Sequence, residues 1–178
     1  MIKIVSDSSA LYSKEDGQVK GISILPLIVT INGSTYNEYE DIKTKEFIDI
    51  INEGHIPVSS QPAIGEVLNV YNENEDCEII NISMADGLSG TYNSACVAKE
   101  MAENSKRIEV INSGTLCGPQ KYLVDLAVKL VELGKNKDEI VNEINKAKEV
   151  LAYELTKLVH GEEEATIFPP SSVQMQGL

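Results

Sequence analysis

The stretch Met1-Ile-Lys-Ile-Val-Ser-Asp-Ser-Ser-Ala10 joins a short apolar run to a cluster of hydroxyl groups. Residues 2–5 are apolar enough to predict a strand that is buried on both faces of a parallel sheet. Similar runs rich in Ile and Val occupy residues 24–31, 78–82 and 108–111, and segments of helical period lie between them. This alternation predicts an α/β fold, with a mostly parallel sheet and helices on both faces.

The segments of helical period predict five helices, which cover residues 44–52, 64–71, 89–104, 120–133 and 138–159. The first of them repeats apolar positions at Phe47, Ile48 and Ile51 before Gly54. After the last helix the chain loses its apolar period and has two adjacent prolines, which predicts a disordered end. A chain of 178 residues has the length of one domain. We therefore expect one domain over residues 1–149, followed by a helical extension and tail over residues 150–178.

Composition and charge exclude several functions. The 15 basic and 28 acidic residues give a net charge of −13, which repels nucleic-acid phosphates and anionic membrane surfaces. No apolar run reaches the roughly 18 residues that a membrane span needs, and the first residues lack the regions of a signal peptide, so we expect a cytoplasmic protein. The three cysteines form no CxxC pair and have no neighbouring histidine. We therefore expect no metal, cofactor or disulfide.

Four predicted loops, each of which follows a predicted strand or precedes a predicted helix, are rich in hydroxyl groups. Their hydroxyl-bearing positions are Ser6, Ser8 and Ser9, then Ser59 and Ser60, then Ser89 and Thr91, then Ser113 and Thr115. Each alone is explained as a helix N-cap. In open parallel sheets, however, ligands bind beyond the carboxyl ends of the strands. If several of these loops meet there, their hydroxyls, free N–H groups and helix N-termini form a site for a small anion.

The same loops restrict the kind of anion. They contain no Lys or Arg, and neither a GxxxxGK[ST] nor a GxGxxG motif, so the groups that usually bind a triphosphate or a dinucleotide are missing. Two or three hydroxyl or N–H donors can bind a single negative charge, whereas a doubly charged phosphate ordinarily needs a cation as well. A carboxylate is therefore the anion that the loops favour.

Four motifs in order resemble the DegV family over about residues 1–150. They are Val5-Ser-Asp-Ser-Ser-Ala10, Leu25-Pro-Leu27, Ser60-Gln-Pro62 and Gly87-Leu-Ser-Gly-Thr91. The resemblance implies an α/β lipid-binding domain that binds a long-chain fatty acid through its carboxylate, on Ser59, Ser60 and Ser89. Ser8, Gly90, Thr91 and Asn112 are expected as secondary residues of the ligand loops.

The resemblance also implies the protein's role. Such bacterial proteins are similar to carriers that present the acid to a separate fatty-acid kinase, so we expect a non-enzymatic carrier without catalytic residues.

The sequence departs from the family pattern in three ways. Ser59 replaces the usual threonine, which preserves the hydroxyl. Asp86 stands where the family usually has serine, and we expect it to face solvent because an inward carboxylate would oppose an anionic ligand. The second domain of the family is missing, so we expect an uncovered face and a homodimer through it. Residues 151–165 resemble instead a short C-terminal segment of tyrosyl-tRNA synthetases.

Other interpretations stay open. The dihydroxyacetone kinase family shares this architecture, but a kinase needs metal-binding carboxylates and a phosphate clamp, and the loops offer only Asp7 and Asp86. A hydrolase using Ser89 and His55 would lack the G-x-S-x-G elbow. A truncated fragment that folds without binding a ligand is the third alternative. Gly87 and Gly90 are either turn residues alone or points where the backbone approaches the ligand closely.

Overall fold

The computed structural model describes residues 1–167, and its elements alternate between strands and helices. In chain order they are β1 (Ile2–Asp7), α1 (Lys14–Val19), β2 (Ile22–Leu25), β3 (Ile28–Ile31), β4 (Ser34–Asn37), α2 (Thr44–Asn52), β5 (Val58–Ser60), α3 (Ile64–Asn72), β6 (Glu78–Ser83), α4 (Thr91–Met101), β7 (Ile108–Asn112), α5 (Cys117–Glu132), α6 (Lys137–His160) and α7 (Glu162–Thr166). Four parallel strands form the main sheet in the order β2-β1-β6-β7. This confirms the predicted α/β class.

Helices cover both faces of the main sheet, as the sequence predicts. On one face Ile4, Ile80 and Ile82 pack with buried residues of α5 and α6. On the other, Val5 and Ile79 pack with buried residues of α3 and α4. Because neighbouring residues of a strand point to opposite faces, the continuous apolar runs of β1 and β6 supply both cores.

A small antiparallel sheet lies beside the main one, with the strand order β4-β3-β5. The prediction of a single strand over residues 24–31 is therefore wrong. The chain leaves the main sheet at Leu25 and starts a new strand at Ile28, and Pro26 between them cannot donate a backbone hydrogen bond to a sheet. Asn32 and Gly33, both with positive φ, then form the two-residue turn from β3 to β4.

The helices agree with their predicted positions, with changes at the ends. The 44–52 helix is confirmed without change. The predicted 89–104 helix is shorter at both ends, because it starts only at Thr91, after Gly90, and ends at Met101. α1, which the sequence did not predict, begins at a capping box formed by Ser13 and Asp16.

The last long helix, α6, crosses the expected boundary near residue 149 without a break. Asn136 and Glu139 form the capping box at its start, and Gly161, at φ 93°, follows its end. Its first half contributes Ile140 and Ile144 to the core, whereas Leu155 and Leu158 are exposed. The division at residue 149 stays a prediction, and the disordered end predicted after residue 167 lies outside the described residues.

Two kinds of feature are absent from residues 1–167. No helix in this range combines the length and apolarity that crossing a membrane requires. Nor does the range contain a group of three or more His, Cys, Asp or Glu side chains placed to bind a metal ion.

Candidate functional site

A cavity of about 390 Å³ lies at the carboxyl edge of the main sheet, where the small sheet meets the N-terminus of α4. Its lining joins residues from the predicted second and third hydroxyl loops to three apolar side chains. The lining residues are Leu27, Ser59, Ser60, Gln61, Met84, Leu88, Ser89 and Gly90. The structure therefore brings together the three serines that the sequence selected as carboxylate ligands.

Ser59 and Ser60 belong to β5, an exposed strand of only three residues at the edge of the small sheet. Ser59 is paired with Val29 of β3, and this register fixes the position of β5 along the cavity. Neither serine caps α3, whose N-cap residue is Ala63, and neither hydroxyl bonds to a side chain or backbone group of the described residues. Both hydroxyls are thus free to donate to a ligand.

Ser89 reaches the cavity from the loop before α4. Its hydroxyl is 2.9 Å from the hydroxyl of Thr91 and accepts a hydrogen bond from the Thr91 N–H at 3.3 Å. Thr91 itself is buried and does not line the cavity. When the Thr91 hydroxyl donates to Ser89, the Ser89 hydrogen is free to point at an anion. Thr91 is therefore placed to orient Ser89.

Gln61, which sequence reasoning did not select, connects the two loops of the cavity. Its Nε2 donates to the Ser94 hydroxyl on α4 at 2.5 Å. Its Oε1 lies against Gly90, where an added Cβ would be only 2.0 Å away. Gly90 is thus a point of close approach, whereas a Cβ on Gly87 would meet no atom within 4 Å. The Ser60-Gln-Pro62 motif itself is the signal that could have identified Gln61.

The contrast between the two glycines gives a first prediction. We expect Gly90→Ala to displace the Gln61 amide, break its bond to Ser94 and lower the free energy of unfolding by about 1 kcal/mol, with a change in cavity shape. Gly87→Ala is the matched control, since its Cβ has open space and its φ is not positive. Urea denaturation of both variants checks this, and equal stability of the two would contradict the close approach.

Ser8 and Asn112, expected as secondary ligand residues, do not line the cavity. The buried Ser8 hydroxyl accepts from the Leu27 N–H at 2.9 Å and donates to Glu38 at 2.5 Å. Asn112 accepts from the Gly114 N–H within its own turn. Ser8 therefore fixes a cavity wall through Leu27, and the direct ligand roles of both residues stay predictions.

The electrostatic character of the cavity comes from dipoles and not from side-chain charges. None of the lining residues is ionisable. The N-termini of α3 and α4 begin beside the lining, and neither helix has a side-chain hydrogen bond at its N-cap. Free N–H groups and helix dipoles favour negative charge there. Asp86 is exposed and outside the lining, so it does not oppose an anion from within the cavity.

A buried polar cluster lies directly behind the cavity. Asp7 accepts from the N–H of Met84 at 2.9 Å and from the Gln120 Nε2 at 3.2 Å, and the Ser9 N–H and hydroxyl bond to its other oxygen. Burial raises the pKa of the Asp7 carboxyl, and hydrogen bonds from Ser9, Met84 and Gln120 partly offset that rise. Sequence reasoning missed Gln120, which is 113 residues from Asp7 and belongs to no motif.

A second cavity, of about 570 Å³, lies between α5 and α6. Leu126, Ala147 and Leu151 belong to its apolar lining, and its charged lining residues are Glu143, Lys146 and Glu154. It contains no serine hydroxyl, and since Lys146 pairs with Glu143 at 2.8 Å, the remaining charge is the Glu154 carboxylate, which disfavours an anion. The cavity at the sheet edge is therefore the candidate site.

Three comparisons with known proteins agree on one family. The chain matches the profile described as an uncharacterised protein of the DegV family over residues 1–156. A DegV domain-containing protein of Staphylococcus aureus (strain N315) is 36% identical over 165 residues, and the match covers 89% of this chain and 58% of the relative. The solved structure of DegV, a fatty acid binding protein from Bacillus subtilis, matches with a TM-score of 0.75 and 31% sequence identity. The match covers 83% of this chain and 53% of the Bacillus subtilis chain.

A shorter relative matches over most of its own length. The DegV domain-containing 15.5 kDa protein of Staphylococcus aureus is 37% identical over 136 residues, which cover 75% of this chain and 96% of the relative. The chain thus spans little more than half of the longer relatives and nearly all of this one.

Proposed function

The chain belongs to the DegV family, and from that membership and the hydroxyl-lined cavity we propose that it binds a long-chain fatty acid through its carboxylate. Ser59, Ser60 and Ser89 are the proposed donors to the carboxylate oxygens. Support comes from the Bacillus subtilis relative, which is named as a fatty acid binding protein.

One observation contributes most to the proposal. Hydroxyls from two loops that are about thirty residues apart line the same cavity, together with Gln61 and three apolar side chains, and no charged group is present. Two or three neutral donors suit a single negative charge. A phosphate would lack a cation, so the same lining argues against the kinase-type enzyme. We therefore propose a carrier with no catalytic residues.

The apolar side chains of the lining indicate where the acyl chain would leave the carboxylate site. Leu27 lies between β2 and β3, whereas Met84 and Leu88 belong to the loop between β6 and α4, and Leu88 is largely exposed. Each methylene that is removed from water contributes about 0.8 kcal/mol. Because this chain spans about half of the longer relatives, we propose that it covers less of the acyl chain and binds the acid more weakly than they do.

The proposed partner is a fatty-acid kinase that receives the acid from this carrier. This extends the family resemblance to a delivery step. In that step the carrier presents the bound acid to the kinase and does not itself change the carboxylate chemically. The cytoplasmic location and the homodimer that the sequence predicts also stay predictions.

The test is to detect bound acid directly. Native mass spectrometry and organic extraction of protein purified from a bacterial host should show a fatty acid with the wild type. We expect it to be absent from the Ser59→Ala/Ser89→Ala variant, because a hydrogen bond to a charged group contributes about 1.5–3 kcal/mol.

Ser34→Ala is the matched control, since Ser34 is an exposed serine of the same small sheet, outside the cavity. It should retain the acid. An acid that survives in the double variant would place the carboxylate elsewhere, and a well-folded wild type without acid would favour the non-binding fragment.

A further inference from the structure

The buried cluster behind the cavity contains one hydrogen-bond acceptor too many. The Ser9 hydroxyl is bonded to Oδ1 of Asp7 and lies 2.6 Å from Oε1 of Gln120. A hydroxyl has one hydrogen and can donate to only one of these two oxygens. If Asp7 is ionised, both neighbours are pure acceptors, and one of the two short oxygen–oxygen contacts has no hydrogen in it. All three side chains are buried, so water does not relieve that contact.

Rotating the Gln120 amide by half a turn does not solve the problem. Its Nε2 donates to Oδ2 of Asp7 at 3.2 Å, and it also lies 3.3 Å from the Ser6 hydroxyl and 3.4 Å from the Ile82 carbonyl oxygen. The rotated amide would place Oε1 against the oxygens of Asp7 and Ile82, neither of which has a hydrogen to donate when Asp7 is ionised, while the Ser6 hydroxyl already donates to Ile82 at 2.7 Å. The surroundings therefore fix the amide with its nitrogen towards Asp7 and its oxygen towards Ser9.

We propose that Asp7 is protonated in the folded protein and acts as a neutral positioning residue for the carboxylate cavity. Its Oδ1–H donates to the Ser9 hydroxyl, which donates in turn to Oε1 of Gln120. Its Oδ2 accepts from the Met84 N–H and from Gln120, and Oδ1 still accepts from the Ser9 N–H at 3.1 Å. One added proton gives both oxygen–oxygen contacts of the Ser9 hydroxyl a hydrogen.

The surroundings of Asp7 agree with a neutral carboxyl. Every group that bonds to it is neutral: Ser9, the Met84 N–H and Gln120. The ionisable side chains that contact adjoining residues are directed elsewhere, since Glu38 accepts from Ser8, and Lys121 donates to the Leu11 carbonyl. Burial without a cationic partner raises the pKa of the carboxyl.

A neutral Asp7 matters for the proposed function, on which this part of the inference rests. Asp7 fixes the backbone of Met84, and Met84 lines the cavity. A charged Asp7 behind the cavity wall would repel a ligand carboxylate, because the protein between them has a low dielectric constant. The protonated form supplies the same support for Met84 without adding a second negative charge.

Infrared spectroscopy of the ligand-free protein tests the protonation directly. The difference spectrum between wild type and Asp7→Asn at neutral pH should contain the carbonyl band of a protonated carboxylic acid, and that band should disappear as the pH rises. Asp49→Asn, at an exposed position of α2, is the control and should leave the band unchanged. A folded wild type whose spectrum at neutral pH lacks the band would overturn the proposal.

The stability of the protein provides a second readout. A folded-state pKa above the unfolded value means that the folded state binds more protons, so the stability of wild type relative to Asp7→Asn should fall as pH rises from about 4 through the folded pKa. A stability difference that is constant over this range would contradict protonation.

The outcomes separate the two proposals. Bound acid is measured on the wild type by native mass spectrometry, independently of the infrared band of Asp7. A protonated Asp7 in a protein that binds no acid would contradict the proposed function alone, whereas bound acid beside an ionised Asp7 would contradict this inference alone. If Asp7→Asn does not fold, the wild-type spectrum decides, because Asp7 is the one aspartate or glutamate of residues 1–167 that is buried.

Discussion

Replacing both Ile140 and Ile144 by alanine is expected to lower the free energy of unfolding by at least about 4 kcal/mol, since each buried Ile→Ala change costs about 2–5 kcal/mol. Both side chains are fully buried in the core that α5 and α6 form against the main sheet. A domain of this size has about 5–15 kcal/mol of stability in total, so the variant should lose a large share of it and unfold at a clearly lower urea concentration.

The same helix supplies the control. Leu155→Ala/Leu158→Ala removes equally large side chains about three to five turns further on, where both are exposed, and should change the stability by less than about 1 kcal/mol. Urea denaturation followed by circular dichroism gives both values. Similar losses in the two variants would contradict the prediction that the domain ends within α6.

Tyr71→Ala is expected to cost about 3–5 kcal/mol, because it opens a large cavity in the core between the sheet and helices α3 and α4. Tyr71 is fully buried, and its hydroxyl accepts from the Asn81 Nδ2 at 2.7 Å. Asn81 is itself buried in the central strand β6. The substitution therefore removes both the ring and the acceptor of a buried amide.

Tyr71→Phe separates these two contributions. It retains the ring and removes only the hydroxyl, so its cost should be about 1–3 kcal/mol, the penalty for leaving the Asn81 amide without that partner. Tyr71→Phe/Asn81→Leu should recover part of the loss, which a double-mutant cycle measures. Equal losses for Tyr71→Phe and Tyr71→Ala would show that the ring contributes nothing to packing.

Most of the main sheet could be predicted from the sequence because its strands are buried on both faces. Residues 78–82 and 108–111 are short apolar runs between helical segments, and such runs have few alternative structures. The small sheet could not be predicted in the same way. Its strands β4 and β5 are polar and only three or four residues long, so they lack an apolar pattern. The Asn32-Gly33 pair was the local signal of that hairpin.

The candidate site shows a similar division. Ser59, Ser60 and Ser89 stand in local motifs, and the rule that ligand loops follow the carboxyl ends of parallel strands predicts the place of Ser89. Ser59 and Ser60 reach the same edge through the antiparallel strand β5, which the rule does not cover. Met84 and Gln120 became visible only in the structure, because their roles depend on contacts 77 and 113 residues away along the chain. Gln61 is intermediate, since its motif was recognised but its contact with Gly90 was not.

The central position of β1 has a consequence for how the chain folds during synthesis. β1 pairs with β2, which follows soon after it, and with β6, whose Ile82 lies 76 residues beyond Ser6. At about 5–20 residues per second, the ribosome needs roughly 4–15 s to deliver that second partner. During this interval one apolar edge of β1 is unpaired, and such an edge is prone to pair with other chains. The nascent chain is thus expected to depend on chaperones most strongly before residue 83 has left the ribosome.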